Sequence, residues 1–169
     1  MVEDEQIPTE RQVHALPLFA LAAVALVLDQ GTKALALQTL TPGETTPVVD
    51  GVFHFTLQRN PGAAFGLFTD FPMAFTVLAF VISVGIIVSV RRVPDRLNAL
   101  ALGSVLGGAL GNLVDRIARD PGLFRGHVVD FIDFRVWPVF NIADMAIVTG
   151  AGLLILASWR NERRERASS

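Results

Sequence analysis

The sequence predicts an all-α membrane protein, a four-helix transmembrane bundle that carries a small extracytoplasmic β-hairpin. Hydrophobic residues make up 51% of the 169 positions, and the mean hydropathy of +0.49 is too high for a soluble domain of this size. Four apolar stretches are long enough to cross a bilayer, and a short segment between the first two alternates as a β-strand does. The length allows one domain, so we expect residues 1–169 to form a single membrane-embedded unit.

The predicted spans each approach the roughly 20 residues that a helix needs to cross the hydrocarbon core. They cover residues 16–37, 71–90, 97–114 and 140–159. The first span resembles a secretory signal, since Ala34-Leu35-Ala36 has the pattern of a cleavage site. However, the residues before it are acidic rather than basic, and three further spans follow. We therefore expect an uncleaved helix.

Lysine and arginine residues indicate the orientation of the bundle, because cytoplasmic loops carry an excess of them. Eight fall on one side of the predicted spans, at positions 11, 91, 92, 96, 160, 163, 164 and 166. Six fall on the other side, at positions 33, 59, 116, 119, 125 and 135. This bias places both termini in the cytoplasm and the loops 41–70 and 115–139 outside.

The first external loop contains the β-hairpin signal. Val48–Phe53 includes an Asp50-Gly51 turn, and apolar and polar residues then alternate from Phe53 to Gln58. A lone hairpin is marginal in water, so we expect its apolar face to rest on the bilayer. Together with the apolar residues that continue to Phe68, it would form a small external platform.

Composition excludes several classes of function. The chain has no cysteine, which removes disulfides, thiol nucleophiles and Cys-based metal sites. Its three histidines are far apart and match no metal-binding motif. The net charge of −2 argues against nucleic acid as the main partner. We therefore expect no metal and no cofactor.

Two aspartates occupy positions that are costly in a membrane protein. Asp144 lies inside the fourth apolar stretch, where a charge costs roughly 2.5–3.5 kcal/mol on insertion scales. Asp130 lies in an apolar run before that stretch, which would press it against the bundle. Each could be a satisfied buried polar group, but both converge near one membrane face. Two aspartates that share a site are the apparatus of acid–base peptide hydrolysis. Asp133 is also acidic and lies three residues after Asp130, but it has no partner in these patterns, so it is not a candidate for the pair.

The helix spacing of the fourth span adds a neighbour to Asp144. Asn141 lies three residues earlier, so both side chains share one helix face. Asp144 would lie roughly 6–8 Å inside the outer end of the predicted helix.

The first and third spans also carry polar or small residues. Asp29 and Lys33 are four apart and therefore neighbours, either as a buried ion pair or in contact with substrate. Gly103, Gly107 and Gly111 have the small-xxx-small spacing that brings membrane helices close together. The same spacing would also suit a backbone-lined slot for a peptide.

Asn112, Asp115 and Arg116 can share the helix face of Gly108 at the outer end of the third span. They are equally suited to structural support and to substrate positioning. The rival function is a small ion- or proton-coupled transport protein, since intramembrane acids also serve in transport. Transport predicts acids spread through the membrane depth or an inverted repeat, and the sequence has neither pattern.

Five motifs in order resemble bacterial lipoprotein signal peptidase, or signal peptidase II, an intramembrane aspartic peptidase family. The motifs are Asp29-Gln-Gly-Thr-Lys33, Arg59-Asn-Pro-Gly-Ala-Ala-Phe-Gly66, Gly107-Gly-Ala-Leu-Gly-Asn-Leu-Val-Asp-Arg116, Val128-Val-Asp-Phe131 and Phe140-Asn-Ile-Ala-Asp144. The resemblance covers the whole transmembrane core. The departure is small: Met145 follows Asp144 where a small or hydroxyl residue is common.

The resemblance implies a function and a set of roles. It implies that Asp130 and Asp144 are the catalytic pair of an endopeptidase that cuts prolipoproteins before a diacylglyceryl-modified cysteine. The residues implied to line the substrate site are Asn60, Gly108, Asn112, Arg116 and Asn141, supported by Asp29, Lys33 and Asp115. The family also implies an external β-cradle and inhibition by globomycin.

The remaining expectations concern the setting of the protein. We expect a multi-pass protein of the bacterial cytoplasmic (inner) membrane with its active site near the outer face. Its partners would be prolipoproteins with a diacylglyceryl-cysteine and membrane lipids, and we expect a monomer.

Overall fold

A computed structural model of the chain describes residues 14–62 and 72–168. The described part contains four α-helices, α1 (Ala15–Thr39), α2 (Pro72–Ser89), α3 (Arg96–Ala118) and α4 (Ile142–Ser168). It also contains three β-strands, β1 (Thr45–Val49), β2 (Phe53–Asn60) and β3 (Val128–Asp133). All four helices are long and apolar enough to span a membrane. The predicted fold class, a four-helix bundle with a small β-structure, is confirmed.

Helix α3 lies at the centre of the bundle and packs against α1, α2 and α4. In the most apolar 18-residue segment of α3, 56% of the residues are buried, whereas 17–22% are buried in the corresponding segments of the other three helices. Glycines allow this close approach. A Cβ at Gly107 would lie 2.6 Å from the carbonyl oxygen of Ala22 on α1, and a Cβ at Gly103 would meet the carbonyl of Leu18. Gly103 and Gly107 therefore allow α1 to pack closely against α3. Because α1 fills this space, these two glycines do not line a slot for a peptide.

The C-terminal end of α3 differs from the predicted span of residues 97–114. The helix continues to Ala118 and so includes Asp115 and Arg116, which were expected to share a helix face with Gly108 but to lie beyond the span. The apolar run ends at Val114, but Asp115 is paired with Lys33 of α1 and Arg119 of its own helix. Because these contacts satisfy the charged groups, the helix does not have to stop where its apolar residues stop.

Helix α4 also differs from the predicted span of residues 140–159. It begins at Ile142, because Asn141 lies before the helix and its side chain accepts from the backbone N–H of Asp144 at 3.0 Å. Phe140 pairs with β3 instead. At the other end, the helix runs through the polar tail to Ser168.

The hairpin is part of a three-stranded antiparallel sheet with the order β1-β2-β3. The expected Asp50-Gly51 turn joins β1 to β2, with Gly51 at φ +73°. The expected alternation in β2 is only partial, since His54 and Leu57 are both buried. The pairing register shifts between Phe55 and Gln58, which breaks the two-residue period. The continuation of the platform from Ala63 to Phe68 lies outside the described residues, as do the start of the second span at Phe71 and the acidic N-terminal residues.

Strand β3 was not predicted as a strand. All six of its residues are buried, so it lacks the alternation that marks a half-exposed strand. It is the edge strand of the sheet, and it brings the sheet into contact with α1 and α3 of the bundle.

Candidate active site

Strand β3 places Asp130 where the sheet meets the bundle. Pairing with β2 sets Asp130 opposite Gln58 and Val128 opposite Asn60. The residue is only 2% exposed. Both oxygens of its carboxylate accept side-chain hydrogen bonds, Oδ1 from Asn141 Nδ2 at 2.6 Å and Oδ2 from Asn60 Nδ2 at 3.1 Å. The buried carboxylate is therefore held from two directions.

Asp144 lies in the first turn of α4 and is half-buried. Its Oδ1 accepts from Asn112 Nδ2 at 2.9 Å, and its Oδ2 faces the backbone N–H of Asn141 at 3.3 Å. Because the helix begins at Ile142, Asp144 is only about 3 Å from the helix end. This distance is shorter than the 6–8 Å expected from the sequence, because the helix begins two residues later than predicted.

Asn141 contacts both acids and so brings them together. It donates to Asp130 through its side chain and faces Asp144 through its backbone N–H. Burial, and then the charge of Asp144, raise the pKa of Asp130 to about 7, against the hydrogen bonds from Asn60 and Asn141. Such a pair keeps a proton near neutral pH, as acid–base chemistry with two carboxylates requires.

A buried ion cluster lies behind the two acids. Lys33 Nζ is 2.9 Å from Asp29 and 2.8 Å from Asp115, and all three side chains are 0% exposed. The ion pair that the four-residue spacing of Asp29 and Lys33 predicts is present. Lys33 also donates to Asn112 Oδ1 at 3.1 Å. A lysine has no acceptor, so this contact turns the amide nitrogen of Asn112 toward Asp144.

Two members of this cluster were missed in the sequence. Gln30 donates to the carbonyl of Gly111 at 3.0 Å and to Asp115 at 3.2 Å. Arg119 donates to Asp115 at 2.5 Å. The sequence contained a clue to each of them. Gln30 is a second polar residue beside Asp29 within an apolar span. Arg119 lies four residues after Asp115, which places both on one helix face.

Arg116 joins three parts of the site. It is 5% exposed, and its Nη1 donates to the carbonyls of Asn60 at 3.1 Å and Gly126 at 3.0 Å. These bonds tie α3 to the end of β2 and to the loop that leads into β3. The guanidinium also places a positive charge beside the acids.

A cavity of about 390 Å³ opens beside the two acids between α2, α3 and α4. Five polar residues line one part of it, namely Asn60, Asn112, Arg116, Asp130 and Asp144. The rest is mostly apolar and includes Phe75, Leu78, Ala79, Ile82, Val105, Ala109, Val128, Trp137, Pro138, Val139, Phe140 and Ile147. The residues Trp137, Pro138 and Val139, which precede the Phe140 motif, were not singled out in the sequence.

Gly108 has a different position from the other candidates. A Cβ there would meet the carbonyl oxygen of Ala143 and lie 2.8 Å from Ile147, so α4 covers this glycine. Its neighbour Ala109 lines the cavity. Among residues 14–62 and 72–168, no group of three or more His, Asp or Glu residues is placed to hold a metal ion.

Known proteins of one family are similar to this chain. Residues 21–160 match the family model described as "Signal peptidase (SPase) II". A lipoprotein signal peptidase of Mycobacterium avium is 47% identical over 152 residues, which cover 89% of this chain and 84% of that protein. One from Pelotomaculum thermopropionicum is 46% identical over 88% of this chain and 98% of its own length.

A third relative is matched over a smaller share of its own length. The lipoprotein signal peptidase of Mycolicibacterium smegmatis is 45% identical over 92% of this chain, and the match spans 66% of that protein.

Solved structures give the same fold. A bacterial membrane enzyme determined at 2.3 Å resolution superposes with a TM-score of 0.75 at 28% identity, over 86% of this chain and 88% of that one. A second, determined at 1.9 Å, has a TM-score of 0.70 at 29% identity. The transport alternative is not favoured by any of these matches. The chain is a multi-pass membrane protein and belongs to the signal peptidase II family of lipoprotein signal peptidases.

Proposed function

We propose that this lipoprotein signal peptidase is an aspartic endopeptidase in which Asp130 and Asp144 form the catalytic dyad. The observation that carries the proposal is the contact of both acids with Asn141 at one end of an apolar cavity. The raised pKa of Asp130, about 7 through burial and the charge of Asp144, supports a pair that shares one proton at neutral pH.

The dyad would act through water. The ionised aspartate takes a proton from a water molecule, whose oxygen attacks the carbonyl carbon of the scissile peptide bond. The protonated aspartate donates its proton to the carbonyl oxygen, which gives a tetrahedral intermediate. When that intermediate collapses, the C–N bond breaks and the departing amine takes up a proton. The two protonation states belong to the pair rather than to one named aspartate.

The polar residues around the dyad would hold the acids and the substrate. Asn60, Asn112 and Asn141 each present an amide N–H to a dyad carboxylate. Arg116 lines the cavity with a buried positive charge suited to a carbonyl or ester oxygen of the substrate. Gly108 would contribute by letting α4, which carries Asp144, approach α3. Asp29, Lys33 and Asp115 support the site from behind.

The substrate would be a prolipoprotein whose cysteine carries diacylglycerol, cut at the peptide bond before that cysteine. The mostly apolar lining of the cavity suits acyl chains or an apolar signal peptide. Buried acyl chains contribute about 0.8 kcal/mol per CH₂. Two such chains would hold the substrate at one membrane depth and bring its scissile bond to Asp130 and Asp144.

The setting follows from the same arrangement. We propose that the protein works as a monomer in the bacterial cytoplasmic membrane, with both termini in the cytoplasm. The arginine distribution supports this orientation. It places the sheet and the dyad at the outer face, where water reaches the half-buried Asp144.

The test is cleavage of matched precursors by the purified protein. A precursor with a diacylglyceryl-cysteine should be cut, and the same peptide with an unmodified cysteine should be cut at least about 100-fold more slowly, because it lacks the acyl anchor. Product is scored by gel shift, with Asp130→Asn as the inactive control. Equal cleavage of both precursors would show that peptide sequence alone sets recognition. Cleavage by the Asp130→Asn variant would contradict the dyad.

A further inference from the structure

Two buried aspartates outside the dyad, Asp29 and Asp115, each hold the residue that immediately precedes a dyad aspartate. The backbone N–H of Ala143 donates to Asp29 Oδ1 at 2.9 Å. The backbone N–H of Val129 donates to Asp115 Oδ2 at 3.2 Å. Each dyad acid therefore has a backbone anchor on a different helix, α1 for Asp144 and α3 for Asp130.

Lys33 connects the two anchors. Its ammonium group contacts Asp29 at 2.9 Å, Asp115 at 2.8 Å and Asn112 Oδ1 at 3.1 Å. An ammonium group has three N–H donors, so these contacts use all of them. Through Asn112, which donates to Asp144 at 2.9 Å, the lysine also reaches the dyad by a side-chain route.

From these contacts we propose that Lys33 is a positioning residue that fixes the separation of Asp130 and Asp144. It acts through Asp29 on the α4 side, through Asp115 on the β3 side and through Asn112 on the carboxylate of Asp144. The proposal rests on the proposed function, since it takes these two acids to be the dyad. Its physical basis is that fully buried ion pairs with complete hydrogen bonding hold a single geometry.

The simpler alternative is that Lys33 only neutralises two buried negative charges. A double variant, Lys33→Met with Asp29→Asn, separates the two ideas because it removes one positive and one negative charge together. Asp115 keeps its contact with Arg119 at 2.5 Å, so no buried charge loses its last partner. The amide introduced at position 29 keeps an oxygen for Ala143. The other charged side chains facing the cluster, Arg116 and Arg119 on α3, are unchanged.

If Lys33 sets the dyad separation, the double variant should fold but catalyse poorly. A misplacement of about 1 Å in reacting groups lowers rates about 100-fold, so kcat for the lipidated precursor should fall on that scale. KM should stay within about threefold, because no residue that lines the cavity is replaced. The two limbs of the pH–rate profile should also move toward each other, since acids held less closely interact less.

Ser104→Ala is the matched control. Ser104 is buried and donates to the carbonyl of Ala146 at 2.7 Å, so it joins α3 and α4 away from the dyad. This variant should lower the melting temperature without moving the pH–rate limbs. A double variant that lost thermal stability but kept the parent kcat and pH profile would show that Lys33 only neutralises charge, and the proposal would fall.

A second variant covers the case in which the double variant does not fold. Asp115→Asn leaves Lys33 paired with Asp29 but breaks its ionic link to the β3 side. It should show the same loss of kcat and the same converging limbs, and an unchanged profile would overturn the proposal. The parent protein is assayed first on the lipidated precursor. Failure of the parent to cut contradicts the proposed function, whereas an unchanged variant contradicts only the role of Lys33.

Discussion

Asn141 donates a hydrogen bond to Asp130 from its side-chain amide at 2.6 Å, and its own Oδ1 accepts the backbone N–H of Asp144 at 3.0 Å. The second bond fixes which way the amide points, because only the oxygen can accept an N–H. The nitrogen must then face Asp130. A helix cap on α4 thus orients a donor toward an acid on β3, so one side chain links the start of the helix to Asp130.

The dyad assignment gives the first prediction. Asp130→Asn and Asp144→Asn should each reduce cleavage of a lipidated precursor to background, because neither variant can form the pair that shares a proton. Both should still purify as folded proteins, since losing a buried charge relieves its desolvation cost. Cleavage is scored by gel shift and folding by thermal melting in detergent.

Asp133→Asn is the control for that experiment. Asp133 is also buried on β3, but it bonds to Thr56 at 2.8 Å and to the backbone of Arg135 rather than to the asparagines around the dyad. It should keep most of the parent activity. Full activity in either dyad variant would remove that residue from the mechanism.

A second prediction concerns stability and pH. The pKa of Asp130 is raised from 3.8 to about 7 by burial and by Asp144, so the folded protein holds this proton where the unfolded chain has lost it. The stabilising contribution is complete below about pH 4, declines between about pH 4 and 7, and is absent above that range. Three units correspond to at most about 4 kcal/mol.

Asp130→Asn removes this titration. Relative to the variant, the parent should lose thermal stability as the pH rises from 4 to 8, and the difference between their melting temperatures should change in that window. Melting curves in one detergent at several pH values provide the measurement. A difference that stays constant with pH would show that Asp130 titrates in its ordinary range.

The helix contacts of α3 give a third prediction. Gly108→Ala should destabilise the bundle by about 1–3 kcal/mol, because its Cβ would meet the backbone of Ala143 and lie 2.8 Å from Ile147. Gly31→Ala on α1 is the matched control, since nothing lies within 4 Å of its Cβ. That variant should be neutral or stabilised by up to about 1 kcal/mol through helix propensity. Equal melting temperatures for the two variants would contradict the α3–α4 contact at Gly108.

The orientation gives a fourth prediction, and the chain suits the test because it has no cysteine. Single cysteines at the exposed positions Asp50 and Leu123 should react with a membrane-impermeant thiol reagent in intact cells. Cysteines at Arg92 and Arg166, also exposed, should react only after the cells are opened. His54, in the same external sheet, is a poor probe site because it is 8% exposed. The reverse labelling pattern would invert the proposed topology.

Much of the fold could be predicted because membrane helices are marked by apolar length alone. Strand β3 escaped prediction because all six of its residues are buried, and a strand buried on both faces has no alternation. The end of α3 was placed too early for a related reason. Asp115 and Arg116 look like residues outside the membrane until their partners on other elements are known.

The motifs predicted which residues form the candidate site, but they did not predict which of these residues contact one another. The structure brings Asp130, Asp144 and the three asparagines together, as the motif order implies. Which amide faces which acid depends on contacts between residues far apart in the chain, such as Ala143 with Asp29. Gly108 and Ala109 show the same limit, because one helix step decides whether a residue meets α4 or lines the cavity.

The ion pair between Asp29 and Lys33 has a consequence for how the protein is made. Both residues belong to α1, and their charges lie 2.9 Å apart within that single helix. During synthesis the first helix can therefore enter the bilayer as an electrically neutral segment before any later helix exists. Asp115, Asn112 and the backbone of Ala143 reach this pair only when α3 and α4 arrive. Because Asp144 lies on α4, the proposed dyad is complete only when that helix is in place, and a chain that still lacks α4 has only one of the two acids.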